Sequence, residues 1–210
     1  LTWYLVPISW FLAGLISAVI LLEGYHRIRE WQVQPPSPGS PPTRAEVSRA
    51  KFSQEGKRTM VALLFGQSNA ASEGESPKVA NERVLNEFNG RLFRAEDPLL
   101  GSTGRGGSVW TRLGDEIIQR KLYDEVVFFP MAVSATGIAR WSPGGDIHPK
   151  LVQRIREAKP MGLTFTHLLW HQGESDANQR DASRTLPGNL YREYLTIVIQ
   201  TSRREIEWDA

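Results

Sequence analysis

The chain is 210 residues long, 40% hydrophobic, 10% aromatic and 23% charged, a composition that builds a core and excludes a disordered, collagen-like or low-complexity protein. Its formal charge is +2, with six bases and four acids in residues 1–57 and nineteen of each beyond, so the main domain is neutral and nucleic acid is not an expected partner. It has no cysteine, which excludes disulfides, thiolate nucleophiles and cysteine-ligated zinc.

Residues 1–22 (LTWYLVPISWFLAGLISAVILL) carry no charge. A helix of that length spans about 33 Å, enough to cross the hydrocarbon of a bilayer. Trp3, Tyr4 and Trp10 lie toward one end and Tyr25 and Trp31 beyond the other, as interfacial aromatics do. The segment is read as a membrane anchor, the alternative being a secretory signal; Arg27 and Arg29 would favour a cytoplasmic C-terminal side, a weak vote, and the expected location of the following domain is the cell envelope or exterior. Residues 23–57 form a juxtamembrane linker whose stretch 34–43 (QPPSPGSPPT) has five prolines and predicts an extended spacer. Thr43 and Glu46 are spaced as a capping box opening a short helix to about Phe52.

From residue 58 the pattern alternates. Residues 58–65 (RTMVALLF) are a short apolar run, predicting a central strand buried on both faces. Residues 91–94 are the better guess for an edge strand in the poorly patterned stretch 80–100. Helical spacing over 109–121 is followed by strand character over 125–133 (EVVFFPMAV), helix over 151–158, strand over 163–170 (LTFTHLLW) and a longer amphipathic helix over 190–203. The alternation predicts an α/β sandwich with a mostly parallel sheet.

In such sheets ligands bind beyond the carboxyl ends of the strands. The three clearest strands are each followed by a polar or glycine-rich segment: Gly66-Gln67-Ser68-Asn69, Ser134-Ala135-Thr136-Gly137 and His171-Gln172-Gly173-Glu174-Ser175-Asp176. Ser68 stands where a tight turn exposes a hydroxyl and presents backbone N–H groups to a developing anion. Gln172 adds a side-chain amide and Gly137 an unobstructed N–H. Taken singly, each has a plainer reading: Ser68 as a helix cap, Gln172 as a partner of loop carbonyls, Gly137 as a positive-φ turn.

Together the three segments GQSNA (66–70), AVSATGIARW (132–141) and WHQGESDA (170–177) resemble the sialate O-acetylesterase and acetyl-xylan esterase branch of the SGNH hydrolases. The resemblance covers about residues 58–205. It departs from the family at Ala70, where a Met is usual, and at Ser134-Ala135, where the family has Gly-Gly. It implies a three-layer flavodoxin-like sandwich that removes acetyl groups from a glycan or polysaccharide without metal or other cofactor. By that resemblance Ser68 is the nucleophile, Ser68 N–H with Gly137 and Gln172 forms the oxyanion hole, and Glu174 or Asp176 is an acidic residue near the catalytic histidine. Gly106-Gly107 is an alternative source of the glycine. Gln67, Asn69 and His171 flank the nucleophile as candidate substrate-binding residues.

Acyl transfer through Ser68 needs a base, which in the family is the histidine of a C-terminal D-x-x-H motif. No D-x-x-H occurs in the 210 residues, and the expectation is that the domain continues past residue 210 into one more strand and that loop. Among the histidines present, His148 follows Asp146 by two residues rather than three, His171 lies beside the site as a loop partner, and His167 and His26 read as structural. No metal-ligand spacing emerges. Trp110 and Trp141 are either sugar-stacking platforms or core. Two other functions fit the same residues: an inactive carbohydrate-binding or scaffold module without the base, and a polysaccharide O-acetyltransferase.

Overall fold

A computed structural model describes residues 44, 46–47, 56–177, 183 and 185–208. The apolar segment 1–22 and the Pro-rich stretch lie outside the described residues. Among the described residues no helix is long and apolar enough to cross a membrane.

Six strands form one sheet: β1 (Glu46–Val47), β2 (Thr59–Gly66), β3 (Val84–Phe88), β4 (Arg91–Arg94), β5 (Glu125–Ala132) and β6 (His167–His171), in the order β1-β4-β3-β5-β2-β6. Strands β3, β5, β2 and β6 pair in parallel, and β4 runs against both β3 and β1. Helix α1 (Val109–Gln119) covers one face, and α2 (His148–Arg156) and α3 (Gly188–Glu205) cover the other, so the fold is a three-layer α/β/α sandwich.

The strand period of two makes the layers. Val61, Leu63 and Phe65 of β2 pack with Val127, Phe129, Leu151, Ile155 and Val198 on the α2/α3 side. Met60, Ala62 and Leu64 pack with Val126, Phe128, Trp110, Ile117 and Ile118 on the α1 side. Every residue of β2 is buried, as its continuous apolar run predicts. Pro130 sits inside β5, a place a proline rarely holds; the ladder with β3 ends at Phe128, so its missing N–H takes nothing from that pairing. Near the carboxyl ends, Phe65, Trp141 and Trp170 pack edge to face, with centroids 5.3 Å apart and planes at 88° for the two tryptophans.

Three expectations are corrected. Glu46 and Val47, predicted inside a capped helix, are a strand whose residues oppose Phe93 and Leu92, and Arg44 donates to the carbonyls of Glu96 and Pro98, both at 2.8 Å. The globular unit thus reaches back before residue 58. β4 is second from the edge, since β1 lies outside it. β3 was not foreseen: Asn86 and Glu87 break its apolar pattern, yet both are fully buried. Asn89 and Gly90 carry the β3–β4 hairpin with φ of 52° and 75°, the left-handed pair a two-residue turn demands.

Candidate active site

β5, β2 and β6 are adjacent, and Gly66 aligns with Ala132 on one side and His171 on the other. The segments that follow these strands therefore emerge side by side. Gly66 has φ 136°, and a Cβ there would collide with the His171 carbonyl. Without that side chain β2 approaches β6 closely enough for Gln67 N to donate to His171 O at 3.0 Å.

Ser68–Ala70 is a single 3-10 turn in which Ala70 N and Ala71 N donate to Gln67 O at 2.9 and 3.0 Å. From α1, Trp110 Nε1 donates to Ala70 O at 2.7 Å and fixes the far end of the turn. Among the described residues the N–H groups of Ser68 and Asn69 donate to no acceptor, as expected for the open start of a turn. Ser68 is partly exposed, and its Oγ lies 3.5 Å from Gln67 Nε2, too long for a firm hydrogen bond.

Gln67 is buried, and its Oε1 accepts from Ser175 N at 3.0 Å, Gln172 Nε2 at 3.1 Å and Gly173 N at 3.4 Å. It clamps the loop after β6 to the Ser68 turn, a different task from touching substrate. Gln172 Nε2 also lies 2.9 Å from Thr136 O and 2.5 Å from Asp176 Oδ2. Its two protons thus have three acceptors: a side-chain amide, a backbone carbonyl and a carboxylate. Tyr191, reaching over from α3, places its hydroxyl 2.9 Å from Gln172 O and 3.0 Å from Gln172 Oε1. Burial pushes the Tyr191 phenol above its ordinary range.

The two acids of this loop separate. Asp176 Oδ2 accepts from Ile138 N at 2.9 Å as well as from Gln172, joining the loops after β5 and β6. Glu174 turns the other way: its Oε1 accepts from Asn69 Nδ2 and lies 3.7 Å from His171 Nε2. Both Glu174 and the His171 ring are half-exposed.

The two sources for a hole glycine also separate. Gly106 N and Gly107 N donate to Ser72 O and Gly74 O at 2.8 and 2.7 Å, while Gly137 N has no acceptor among the described residues. Gly137 has φ −79°, so it is not a positive-φ turn. A Cβ on it would press to 3.0 Å from Asp176 Oδ1. The left-handed residue of this loop is Ala135, with φ 58°.

Among the described residues no histidine hydrogen-bonds Ser68 Oγ. His148 Nδ1 lies 3.1 Å from Trp141 O, and its neighbour Asp146 is held by Arg140 in two hydrogen bonds that keep the carboxyl below its usual range. His167 Nδ1 lies 2.8 Å from Thr166 Oγ1. Trp110 and Trp141 are buried core, with Trp141 Nε1 donating to Thr136 Oγ1 at 3.1 Å, so neither is a sugar platform. No three His, Asp or Glu side chains gather as a metal site among the described residues.

A cleft of about 390 Å³ opens beside Ser68, lined also by Asn69, Glu73, Glu75, Ser108 and Arg112. Its wall is a glycine seam: Gly74 and Gly107 exchange hydrogen bonds at 2.7 and 2.8 Å. Side chains at Gly104, Gly106 or Gly107 would collide with the opposite backbone. Glu73 Oε1 accepts from Ser134 Oγ at 2.5 Å, linking the cleft to the loop after β5. Sequence reasoning missed Tyr191, Glu73 and the cleft wall. Tyr191 sits within an amphipathic helix with no signal of its own, and the seam is announced only by the glycines of 101–107.

The family model described as carbohydrate esterase, sialic acid-specific acetylesterase matches residues 58–210. A probable carbohydrate esterase of Arabidopsis thaliana is 30% identical over 63 residues, which are 30% of this chain and only 24% of that relative. The X-ray structure of the same Arabidopsis protein superposes with a TM-score of 0.58 at 20% identity, covering 71% of this chain and 70% of that one. The crystal structure of NanS superposes with a TM-score of 0.51 at 15% identity, covering 71% and 62%.

Proposed function

Because the chain belongs to the carbohydrate esterase family of sialic acid-specific acetylesterases, we propose that it is a serine esterase that removes acetyl groups from a glycan or polysaccharide, with Ser68 as the nucleophile. The observation that carries this reading is the unengaged N–H of Ser68 at the start of its turn, beside the strand whose loop leaves Gly137 N unengaged as well. In the reaction, Ser68 Oγ attacks the acetyl carbonyl, the carbonyl oxygen becomes an oxyanion facing those N–H groups, and the sugar leaves as its alcohol. Water then attacks the acetyl-Ser68 ester, releasing acetate and restoring the hydroxyl.

A base must take the Ser68 proton and return it to the departing sugar oxygen. The family resemblance gives that role to the histidine of a D-x-x-H motif, which the 210 residues do not contain. Gln172 then acts in this reading by holding the hole's backbone, and by donating into the hole only if its amide leaves one of its three present acceptors. On the same reading residues 1–22 tether the domain to a membrane, facing the envelope or exterior, because 22 uncharged residues match a bilayer's thickness.

The test is labelling of the native protein with a fluorophosphonate, alongside acetate release from an acetylated glycan. Ser68→Ala is expected to lose both while keeping the far-UV spectrum and unfolding midpoint of the parent. Labelling that survives the substitution refutes the assignment of the nucleophile. Acetyl appearing on an added sugar acceptor instead of as acetate identifies a transferase.

A further inference from the structure

We infer that Thr103 is a positioning residue for the oxyanion hole: its hydroxyl and backbone brace the loop that presents Gly137 N against the chain that leaves the Ser68 turn; this rests on the serine esterase reading above. Thr103 lies in the loop between β4 and α1 and is not among the residues lining the cleft beside Ser68. Its backbone reaches both ways: Thr103 N donates to Ala132 O and Thr103 O accepts from Ser72 N, both at 2.9 Å. Its side chain takes hold of Ser134, with Oγ1 accepting from Ser134 N at 2.9 Å and standing 2.8 Å from Ser134 Oγ. The Glu73 carboxylate only accepts, so Ser134 Oγ donates to Glu73 Oε1 at 2.5 Å and receives the Thr103 hydroxyl proton. The resembling family has glycine at position 134, so the hydroxyl in this brace is this chain's own.

Ala135, the next residue, has φ 58°, a left-handed conformation that a residue with a side chain keeps only where its surroundings impose it. Ser134 before it is bound by Thr103. Thr136 after it donates its hydroxyl to Val133 O at 2.8 Å and accepts from Trp141 Nε1 at 3.1 Å. The Ser68 turn is gripped on both sides by the same assembly: Gly66 O accepts from Val133 N at 2.9 Å before it, and Ser72 N reaches Thr103 after it. Without the Thr103 hydroxyl the loop keeps its tie at Val133 and loses the one at Ser134. The spacing between the unengaged N–H groups of Ser68 and Gly137 is then no longer fixed from this side. An oxyanion forms only on the way to the tetrahedral intermediate, so a slackened hole lowers kcat and leaves KM nearly unchanged.

The experiment measures kcat and KM of the native protein on a monoacetylated methyl xyloside. Thr103→Val, which keeps the shape and removes the hydroxyl, is expected to lower kcat about tenfold with KM within a factor of about two. Thr103→Ser, which restores a hydroxyl, should recover kcat to within about threefold of the parent. An unmoved kcat in Thr103→Val, an equal fall in both variants, or a change in KM alone overturns the inference while leaving the esterase reading intact. Should Thr103→Val fail to fold by urea unfolding, Ser134→Ala decides: it removes only the hydroxyl end of the brace, a fall in kcat of about threefold supports the inference, and no fall overturns it. A parent that neither turns over the ester nor takes the fluorophosphonate label counts against the esterase reading instead. In that event backbone 15N order parameters of residues 134–137 carry the test: a drop from about 0.85 toward 0.6 in Thr103→Val, or in Ser134→Ala where that variant is the folded one, supports the brace, and unchanged values overturn it.

Discussion

Gln67 and Gln172, 105 residues apart, are joined amide to amide across the β2–β6 seam, with Gln172 Nε2 donating to Gln67 Oε1 at 3.1 Å. The same oxygen holds Ser175 N, so one buried acceptor fixes the loop that carries Glu174 and Asp176. Gln67→Leu keeps the bulk and removes the acceptor, leaving buried donors unpaired at a cost of about 2 kcal/mol. Urea unfolding should show that loss, and Gln67→Glu, which retains an acceptor, should recover part of it. A Gln67→Leu protein as stable as the parent would show that the clamp contributes nothing.

Tyr191 is the positioning residue for Gln172, because its hydroxyl reaches both the carbonyl and the side-chain oxygen of that residue. Tyr191→Phe keeps the packed ring and releases the amide to rotate. We expect kcat on an acetyl ester to fall about tenfold, the equivalent of one ordinary hydrogen bond, with KM within a factor of about two. A fall in stability with unchanged kcat would make Tyr191 a purely structural contact.

Ala135 holds φ 58° in the loop that presents Gly137. An L-residue in the left-handed region is disfavoured by about 1–2 kcal/mol, partly offset in a glycine variant by the freer unfolded chain. Ala135→Gly should therefore raise stability by up to about 1 kcal/mol, and Ala135→Val should lower it by about 1–2 kcal/mol. Thermal unfolding of the two variants against the parent gives the comparison, and a shift of both in one direction contradicts it.

Glu87, fully buried, is held above the usual carboxylate range by burial, which outweighs the pull of Arg154. Below about pH 4.5 the folded and unfolded chains both carry the proton. Between that value and the raised folded one, only the folded chain does. Stability from this group is therefore present at low pH and lost as pH rises through the window. Glu87→Gln removes the titration while Arg154 keeps Glu157 at 2.5 Å and the Glu87 carbonyl at 2.8 Å. The urea midpoint of the variant relative to the parent should rise between about pH 4.5 and pH 7.5. A constant difference would place the Glu87 carboxyl at its ordinary value.

The three strands that matter most were legible because their residues are consistent with one environment. β2, β5 and β6 are apolar runs, and the polar segments that follow them meet at one edge of the sheet, where the candidate site lies. β3 was hidden because its buried polar side chains find partners outside the strand: Leu100 N at 2.7 Å for Asn86, and Gly90 N of the following turn at 2.7 Å with Arg154 for Glu87. β1 was hidden because two residues cannot show a period and its partners Phe93 and Leu92 lie some 45 residues on. Within the site, residue types named Ser68, Gly137 and Gln172. Which glycine keeps a free N–H, which acid faces Asn69, and where the Gln172 amide points all depend on contacts between distant segments.

The perpendicular pair Trp141 and Trp170, with Phe65 against both, gives the protein an optical handle on its own site. Trp170 immediately precedes His171, and Trp141 closes the loop that begins after β5. Two indoles at 5.3 Å in a rigid, asymmetric arrangement couple their transitions and should give strong near-ultraviolet circular dichroism. Any event that shifts one loop against the other will alter that signal, so the molecule reports the state of this edge of the sheet without an added label.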